Sequence, residues 1–390
     1  MPDDRPYDIV LFGATGFTGA LTADYLARNA GSGCRWALAG RDQARLEAVR
    51  ERLGLPELPL LRADATDAAS LARLAGQTRV VATTVGPYIS YGEPLVAACA
   101  AAGTHYADIT GEPEFVDRVF VRHHEEARRT GAKIVHACGF DSVPHDLGVY
   151  FTVNLLPEGT PIEVSGFVRA NGGLSGGTVR SVLVGASRSR QTAEAALARR
   201  RAEPRPHDRR VRGGAGSLRH VGGWALPLPT IDPRIVASSA RALERYGPDF
   251  VYRHHFAVRR LPTALGIVAG AGVVVALAQI PPVRSWLLGR VSPGDGPTPE
   301  RRAESWFTVT LLGRGGGERV VVEVSGGDPG YDETAKMLGE SALCLAFDDL
   351  PEVSGQLTTA VAMGQTLVDR LVRAGVSFSV VADSRKRSSG

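Results

Sequence analysis

The stretch Gly13-Ala14-Thr15-Gly16-Phe17-Thr18-Gly19 sets three glycines three residues apart directly after an apolar run that starts at Tyr7. In such a loop one glycine lets the chain turn sharply out of a strand. The next lets a diphosphate approach backbone amides at a helix N-terminus, and the third lets helix and strand pack closely. The loop is therefore read as a dinucleotide-binding turn. A second strand-like run ends Ala39-Gly40-Arg41, where a carboxylate would accept from a ribose 2′-hydroxyl. An arginine in that place suits a 2′-phosphate, which favours NADP, with Asp42 beside it keeping NAD as the alternative. Asp64 and Ala65 follow the third run and are expected near the adenine. Val85-Gly86-Pro87 ends the fourth, where a Gly-Pro turn brings backbone close to a cofactor.

The elements that must carry these residues alternate. Strand-like runs near 7–13, 36–39, 58–61, 80–83, 105–108 and 133–137 are separated by helical patterns at 43–53, 68–74, 94–102 and 114–130, with a further helix following the first loop. Six strands with helical crossovers predict an α/β fold, a Rossmann-type doubly wound parallel sheet, over 1–153. Past 153 the rhythm changes to long β-rich runs at 162–169, 307–312 and 319–324, which predicts an α+β substrate domain over 154–330. The tail, 331–390, reads as C-terminal helices and a strand, with 357–371 helical and 376–381 extended. Its apolar face calls for a partner surface, for which the first domain is a candidate.

Ahead of a further helix stands His136-Ala137-Cys138-Gly139-Phe140-Asp141-Ser142-Val143-Pro144-His145-Asp146-Leu147-Gly148. This stretch joins the glycine loop, Ala39-Gly40-Arg41, Val85-Gly86-Pro87-Tyr88 and Ala107-Asp108-Ile109-Thr110-Gly111-Glu112. Together they resemble the saccharopine dehydrogenase-like oxidoreductases, in the branch called trans-acting enoyl reductases. The motifs span 8–148, and the tail from Leu357 to Val376 is similar to the same branch; 160–330 matches only loosely. The resemblance implies an NADPH-dependent reductase of an enoyl thioester in polyketide-lipid synthesis. The first loop differs from that of true saccharopine dehydrogenases, so an amino-acid substrate is the second reading. A non-catalytic, membrane-peripheral nucleotide-binding scaffold is the third.

Enoyl reduction needs a hydride at the β-carbon, a group to stabilise the enolate oxygen and a proton for the α-carbon. No tyrosine here is followed by lysine at the fourth position, so the short-chain reductase arrangement is absent. Donors must come from the strand ends: Tyr88, Asp108 and Asp141 rank first, ahead of Tyr91, Tyr106 and His145. Each has a plain alternative as a helix cap or a rim side chain. His123-His124 and His254-His255 point their rings in different directions on a helix and on a strand, and no metal site is expected.

Composition bounds the rest. The chain has 390 residues, 44% hydrophobic and 22% charged, with a net charge of +4, which is ordinary for a globular protein of two domains. So small an imbalance does not suggest nucleic-acid binding. Cys34, Cys99, Cys138 and Cys344 show no metal-ligand or disulfide spacing. With no signal peptide at the start, a cytoplasmic protein is expected. Within 188–212 nine arginines face three acids, a local balance of +6, read as an exposed helix end and loop. That field suits an acidic acyl-carrier domain or, peripherally, anionic lipid at the inner face of the membrane, or else it is a solvated loop. The uncharged run 264–280, stopped by Pro281-Pro282, is short of a full span; it reads as a buried helix, a tunnel wall for an apolar acyl chain or an interfacial helix. Oligomeric state is not legible.

Overall fold

The computed structural model describes residues 5–171, 188–204, 208–214, 219–220, 223–228, 230–260 and 296–383, with separate positions between 262 and 283. The first seven strands in space are all parallel. They are β1 (Tyr7–Phe12), β2 (Trp36–Gly40), β3 (Leu60–Arg62), β4 (Thr78–Thr83), β5 (His105–Asp108), β6 (Lys133–Val135) and, from the tail, β14 (Gly355–Leu357). Their order is β14-β6-β5-β4-β1-β2-β3, the doubly wound arrangement with its switch point between β1 and β4. β1 and β2 are almost wholly buried, as strands covered on both faces must be.

Helices α1 (Phe17–Asn29), α2 (Gln43–Leu53), α3 (Ala68–Gly76), α4 (Tyr88–Tyr91), α5 (Glu93–Ala102) and α6 (Pro113–Thr130) make the crossovers, and α7 (Val143–Asn154) leads out of the sheet. Asp42 and Asp67 cap α2 and α3 by accepting the backbone N–H of Arg45 and Ala69. α3, α5 and α6 pack on one another. α1 packs against a helix from the tail.

The second sheet contains β7 (Ile162–Ala170), β8 (Arg210–Gly213), β9 (Arg219–His220), β10 (Gly223–Pro227), β11 (Asp249–Val258), β12 (Phe307–Gly315), β13 (Glu318–Gly326) and β15 (Ser377–Asp383). It runs β15-β13-β12-β7-β11-β10-β9, with β8 beside β11. Helices α8 (Ser189–Ala202), α9 (Asp232–Ala242) and α10 (Pro299–Ala303) belong to this half. α7 lies against β12 and β13, so one apolar core runs on from the first sheet into the second.

The tail differs from its expected form. Helix α11 (Asp332–Phe347) covers the first sheet beside α1. Leu357, expected as the start of a helix, instead ends the seventh strand, Gly355–Leu357, paired with β6. Leu357 is thus an extended residue, and the helical part is α12 (Thr359–Ala362) and α13 (Gly364–Arg373). Helical spacing could not reveal a three-residue strand that owes its form to an open neighbouring edge. Buried Asp146 of α7 joins these pieces, accepting from Ser239 Oγ at 2.5 Å, Thr359 Oγ1 at 2.8 Å and the Ala360 N–H at 2.8 Å.

The basic segment is also not simply an exposed loop. α8 is laid on α6, with Arg188 forked onto Glu114 at 2.7 and 2.8 Å and Arg199 on Asp117 at 3.3 Å. Arg212 pairs with Asp249 at 2.6 Å, and Arg209 donates to the last carbonyls of α9. Arg190, Arg200, Arg201 and Arg210 remain exposed, and Arg205 lies outside the described residues. His124 stacks on Phe120 and accepts the Gln356 N–H, which ties α6 to β14. Most of 264–280 lies outside the described residues; of the described positions, Leu265, Val273 and Leu277 are helical and exposed, and Ile280 is exposed. Among the described residues no helix is long and apolar enough to cross a membrane.

Candidate functional site

The glycine loop closes the carboxyl end of β1. Gly13 has φ +98°, and a Cβ there would meet Val85 Cγ2 at 2.7 Å. At Gly19, buried in α1, a Cβ would lie 2.1 Å from the Gly13 carbonyl oxygen. These two glycines serve the turn and the packing. Gly16 is different: a Cβ would meet only Gly13 O, at 3.5 Å, and Thr15 and Gly16 are both exposed. Gly16 caps α1 with extended backbone and no side chain, so the first amides of the helix face open space at its positive end. Open amides at a helix N-terminus suit a diphosphate.

The rest of the loop is held from behind. Ala14 is buried, Thr18 O accepts from Thr22 Oγ1, and Thr84 Oγ1 donates to Gly13 O at 3.1 Å. Phe17 is covered by the second half of the chain: Tyr331 meets its ring edge to face at 4.8 Å, and the Arg302 guanidinium lies 5.5 Å above it.

Gly40 ends β2 in register with Arg62 of β3, which sets the exposed Arg41 and Arg62 at one edge. Asp64 is held by the Thr66 N–H and hydroxyl, both at 2.8 Å, and these bonds, with both arginines nearby, lower its carboxyl below the usual range. Ala65 packs on the core beneath. Asp42 caps α2 through Oδ1, with Arg45 Nε 3.5 Å from its Oδ2. Two guanidiniums at the second strand's end match a 2′-phosphate. Arg62 was legible only through the pairing of β2 with β3.

At the end of β4, Val85 N donates to Thr83 Oγ1, and Gly86-Pro87 turns the chain into α4. Glu112 fixes that turn by accepting the N–H groups of Tyr88 at 3.1 Å and Ile89 at 2.7 Å, a role not assigned from the sequence.

The three candidate catalytic residues fall into different situations. Tyr88 is buried, and its hydroxyl donates to Thr83 O at 3.1 Å. Asp108 is buried and saturated: Tyr106 and His136 meet one oxygen at 2.9 and 2.7 Å, while the Thr110 and Ala137 N–H groups meet the other at 3.0 Å each. Both join the strand ends together. Asp141 alone has a carboxyl with no hydrogen bond among the described residues. Burial, and the charge of nearby Asp232, push it up to about 7. It sits in the loop after β6, which α11 steadies through Thr334 Oγ1 accepting the Phe140 N–H at 3.1 Å.

Asp141 neighbours a buried group that the sequence does not bring together. His145 in the first turn of α7, Asp232 at the start of α9 and His254 in β11 lie side by side where the two halves of the chain meet. His145 was a minor candidate, and His254 was read as one of an alternating pair. That alternation holds: His255 stacks on Phe167 while His254 meets His145.

A parallel sheet whose glycine loop, paired arginines and switch-point turn converge on its carboxyl edge defines a nucleotide-dependent oxidoreductase of the doubly wound class. The saccharopine dehydrogenase NADP binding domain family matches residues 9–136. A Mycobacterium tuberculosis relative is 42% identical over 408 residues, covering 96% of this chain and 97% of its own. The trans-acting enoyl reductase of Mycobacterium leprae is 38% identical over 413 residues, covering 96% and 98%. Among solved structures, the apo saccharopine dehydrogenase (L-Glu forming) of Saccharomyces cerevisiae shares the fold, with TM-score 0.53 and 12% identity over 96% of this chain and 100% of that one. The chain belongs to the trans-acting enoyl reductase family, within the saccharopine dehydrogenase-like oxidoreductases, and is an NADP-dependent oxidoreductase.

Proposed function

We propose that this protein reduces the double bond of an enoyl thioester on a long apolar acyl chain, in polyketide-lipid synthesis, with NADPH as reductant. The observation that carries this reading is the similarity to trans-acting enoyl reductases over 96% of the chain, because it includes the second sheet, where a substrate must be held. The yeast saccharopine dehydrogenase shares only the architecture, which leaves the amino-acid reading without support at the substrate end.

NADPH, when bound, supplies the hydride. The protein's own residues do the remainder. The first amides of α1, beyond Gly16, take the diphosphate, and Arg41 and Arg62 take the 2′-phosphate. Asp64 and Ala65 border the adenine, and Val85, Gly86 and Pro87 pass the cofactor along the carboxyl edge. Asp141 is the acidic side chain at the reacting end, while Tyr88 and Asp108 hold the strand ends that place it.

The test is NADPH oxidation with an enoyl thioester, free and on an acyl-carrier protein, expected to proceed on both and faster on the carrier. Asp141→Asn should lower turnover about tenfold or more with NADPH affinity unchanged. No oxidation with either form, with NADPH bound normally, would overturn the substrate assignment. Unchanged turnover in the variant would remove Asp141 from the reacting end.

The described part of 262–280 and the exposed arginines of 188–212 support a second, peripheral role for the surface. Leu265, Val273 and Leu277 recur at helical spacing and are exposed, as a helix lying in a lipid interface would present them. Association with the anionic inner face of a membrane would bring the enzyme to its lipid-linked substrate.

A further inference from the structure

We infer that His145, Asp232 and His254 form a binding site for a divalent transition-metal cation, with zinc the best match. Their side chains are each 1% exposed, and one donor atom from each lies within 4.8 Å of the others. His254 Nε2 is 3.4 Å from Asp232 Oδ2, and His145 Nε2 is 3.8 Å from Asp232 Oδ1. These separations are too long for good hydrogen bonds between the groups. The shorter one matches donors that share an ion, since ligands about 2.1 Å from a tetrahedral centre stand about 3.4 Å apart, and the wider ones, up to 4.8 Å, would have to close by side-chain rotation when the ion binds.

Hydrogen-bond accounting points the same way. Asp232 Oδ1 and His254 Nε2 are buried with no hydrogen-bond partner among the described residues. A carboxylate oxygen and an imidazole nitrogen left bare in a dry place each cost free energy, and a cation between them satisfies both. The outer contacts of His254 and Asp232 are those that orient metal ligands. Tyr252 Oη is 3.0 Å from His254 Nδ1, which leaves Nε2 aimed at the cluster, and the Thr230 hydroxyl donates to Asp232 Oδ2. Phe140 packs edge to face on His145 at 5.5 Å and on Phe307 at 5.0 Å, so one side of the cluster is apolar.

Two imidazoles and one carboxylate suit zinc, or iron(II), cobalt(II) or nickel(II), rather than calcium or magnesium. Three protein ligands leave a coordination position open. The ligands come from α7, α9 and β11, so an ion there would join the nucleotide-binding half to the second sheet. This inference stands independently of the enoyl reading.

The full chain, purified without a histidine tag, is loaded with zinc, passed through a desalting column and assayed for metal by mass spectrometry. About one ion per chain is expected. Cobalt(II) in its place should give the visible d–d absorption of a low-coordinate site, and zinc should raise the thermal midpoint. His145→Gln and His254→Ala should each lose the ion and the cobalt spectrum. Should His254→Ala fail to fold, His145→Gln, a change in the first turn of α7, decides the matter. Less than about a tenth of an ion per chain in the wild type after loading, or an unchanged content and spectrum in His145→Gln, would overturn the site.

Discussion

Gly16 and Gly19 look equivalent in the sequence, and the space around them separates their roles. A side chain at Gly16 projects into the opening over α1, whereas one at Gly19 strikes the Gly13 carbonyl. Gly16→Val should therefore fold with a thermal midpoint close to the wild type and bind neither NADPH nor NADH. Gly19→Ala should lower the midpoint itself, since backbone atoms must move. Calorimetric titration with thermal melting checks both; normal NADPH binding by Gly16→Val would return the loop to a simple turn. The proposed site for the 2′-phosphate is the edge where Arg41 and Arg62 stand. Arg41→Ala should weaken NADPH about ten- to a hundredfold with little change for NADH, and Arg62→Ala should act in the same direction. Equal losses for both cofactors would remove the phosphate from that edge.

Short elements here take their form from what lies beside them. β14 is three residues long and exists because β6 offers an open edge; α11 and α13 then hold the tail in place through Arg370. That guanidinium pairs with Asp348 and lies 3.0 Å from Glu340, which in turn accepts from Tyr25 of α1 at 2.6 Å. Burial by itself would raise the Asp348 carboxyl, but Arg370 prevails and holds it below the usual range. A carboxyl depressed in the folded state contributes stability that is present above its unfolded pKa, about 4, and lost as pH falls through the folded value. Arg370→Ala should thus cost about 1–3 kcal/mol near pH 7, and the gap from the wild type should narrow toward pH 3. Urea unfolding at both pH values measures it; a gap that stays constant would show that Arg370 acts through packing alone.

At the scale of the molecule, the charge excess seen in the sequence is partly consumed internally. Arg188, Arg199 and Arg212 pair with acids from outside their own segment, so α8 is fastened to α6 and β8 to β11. Arg190 pairs with Glu194 at 2.9 Å, and exposed Arg200, Arg201 and Arg210 remain for an outside partner, together with the exposed apolar positions between 265 and 280. Binding to anionic vesicles should accordingly be weak, reversible and lost at high salt, because the field decays over about 8 Å at physiological ionic strength. Flotation at low and high salt followed by carbonate extraction tests this. Resistance to carbonate would establish a membrane segment, and no association at low salt would leave the arginines to internal pairing and solvent.

The sequence by itself determined the nucleotide-binding half. Its strands, crossovers and glycine loop are local patterns, and the chemistry of a phosphate cradle is carried by consecutive residues whose backbone the glycines dictate. The NADP expectation came from Arg41, likewise a residue placed by local pattern. Only the tertiary structure decided which polar residues were already occupied. Tyr88, Asp108 and Asp141 occupy similar strand-end positions in the chain, but partners at Thr83, Tyr106, His136 and Ala137 take up the first two and leave the third. Only folding, too, brings Asp232 and His254 beside His145, across more than eighty residues of chain. Such a meeting depends on how α7, α9 and β11 pack, and helical or strand spacing within each element holds no record of it.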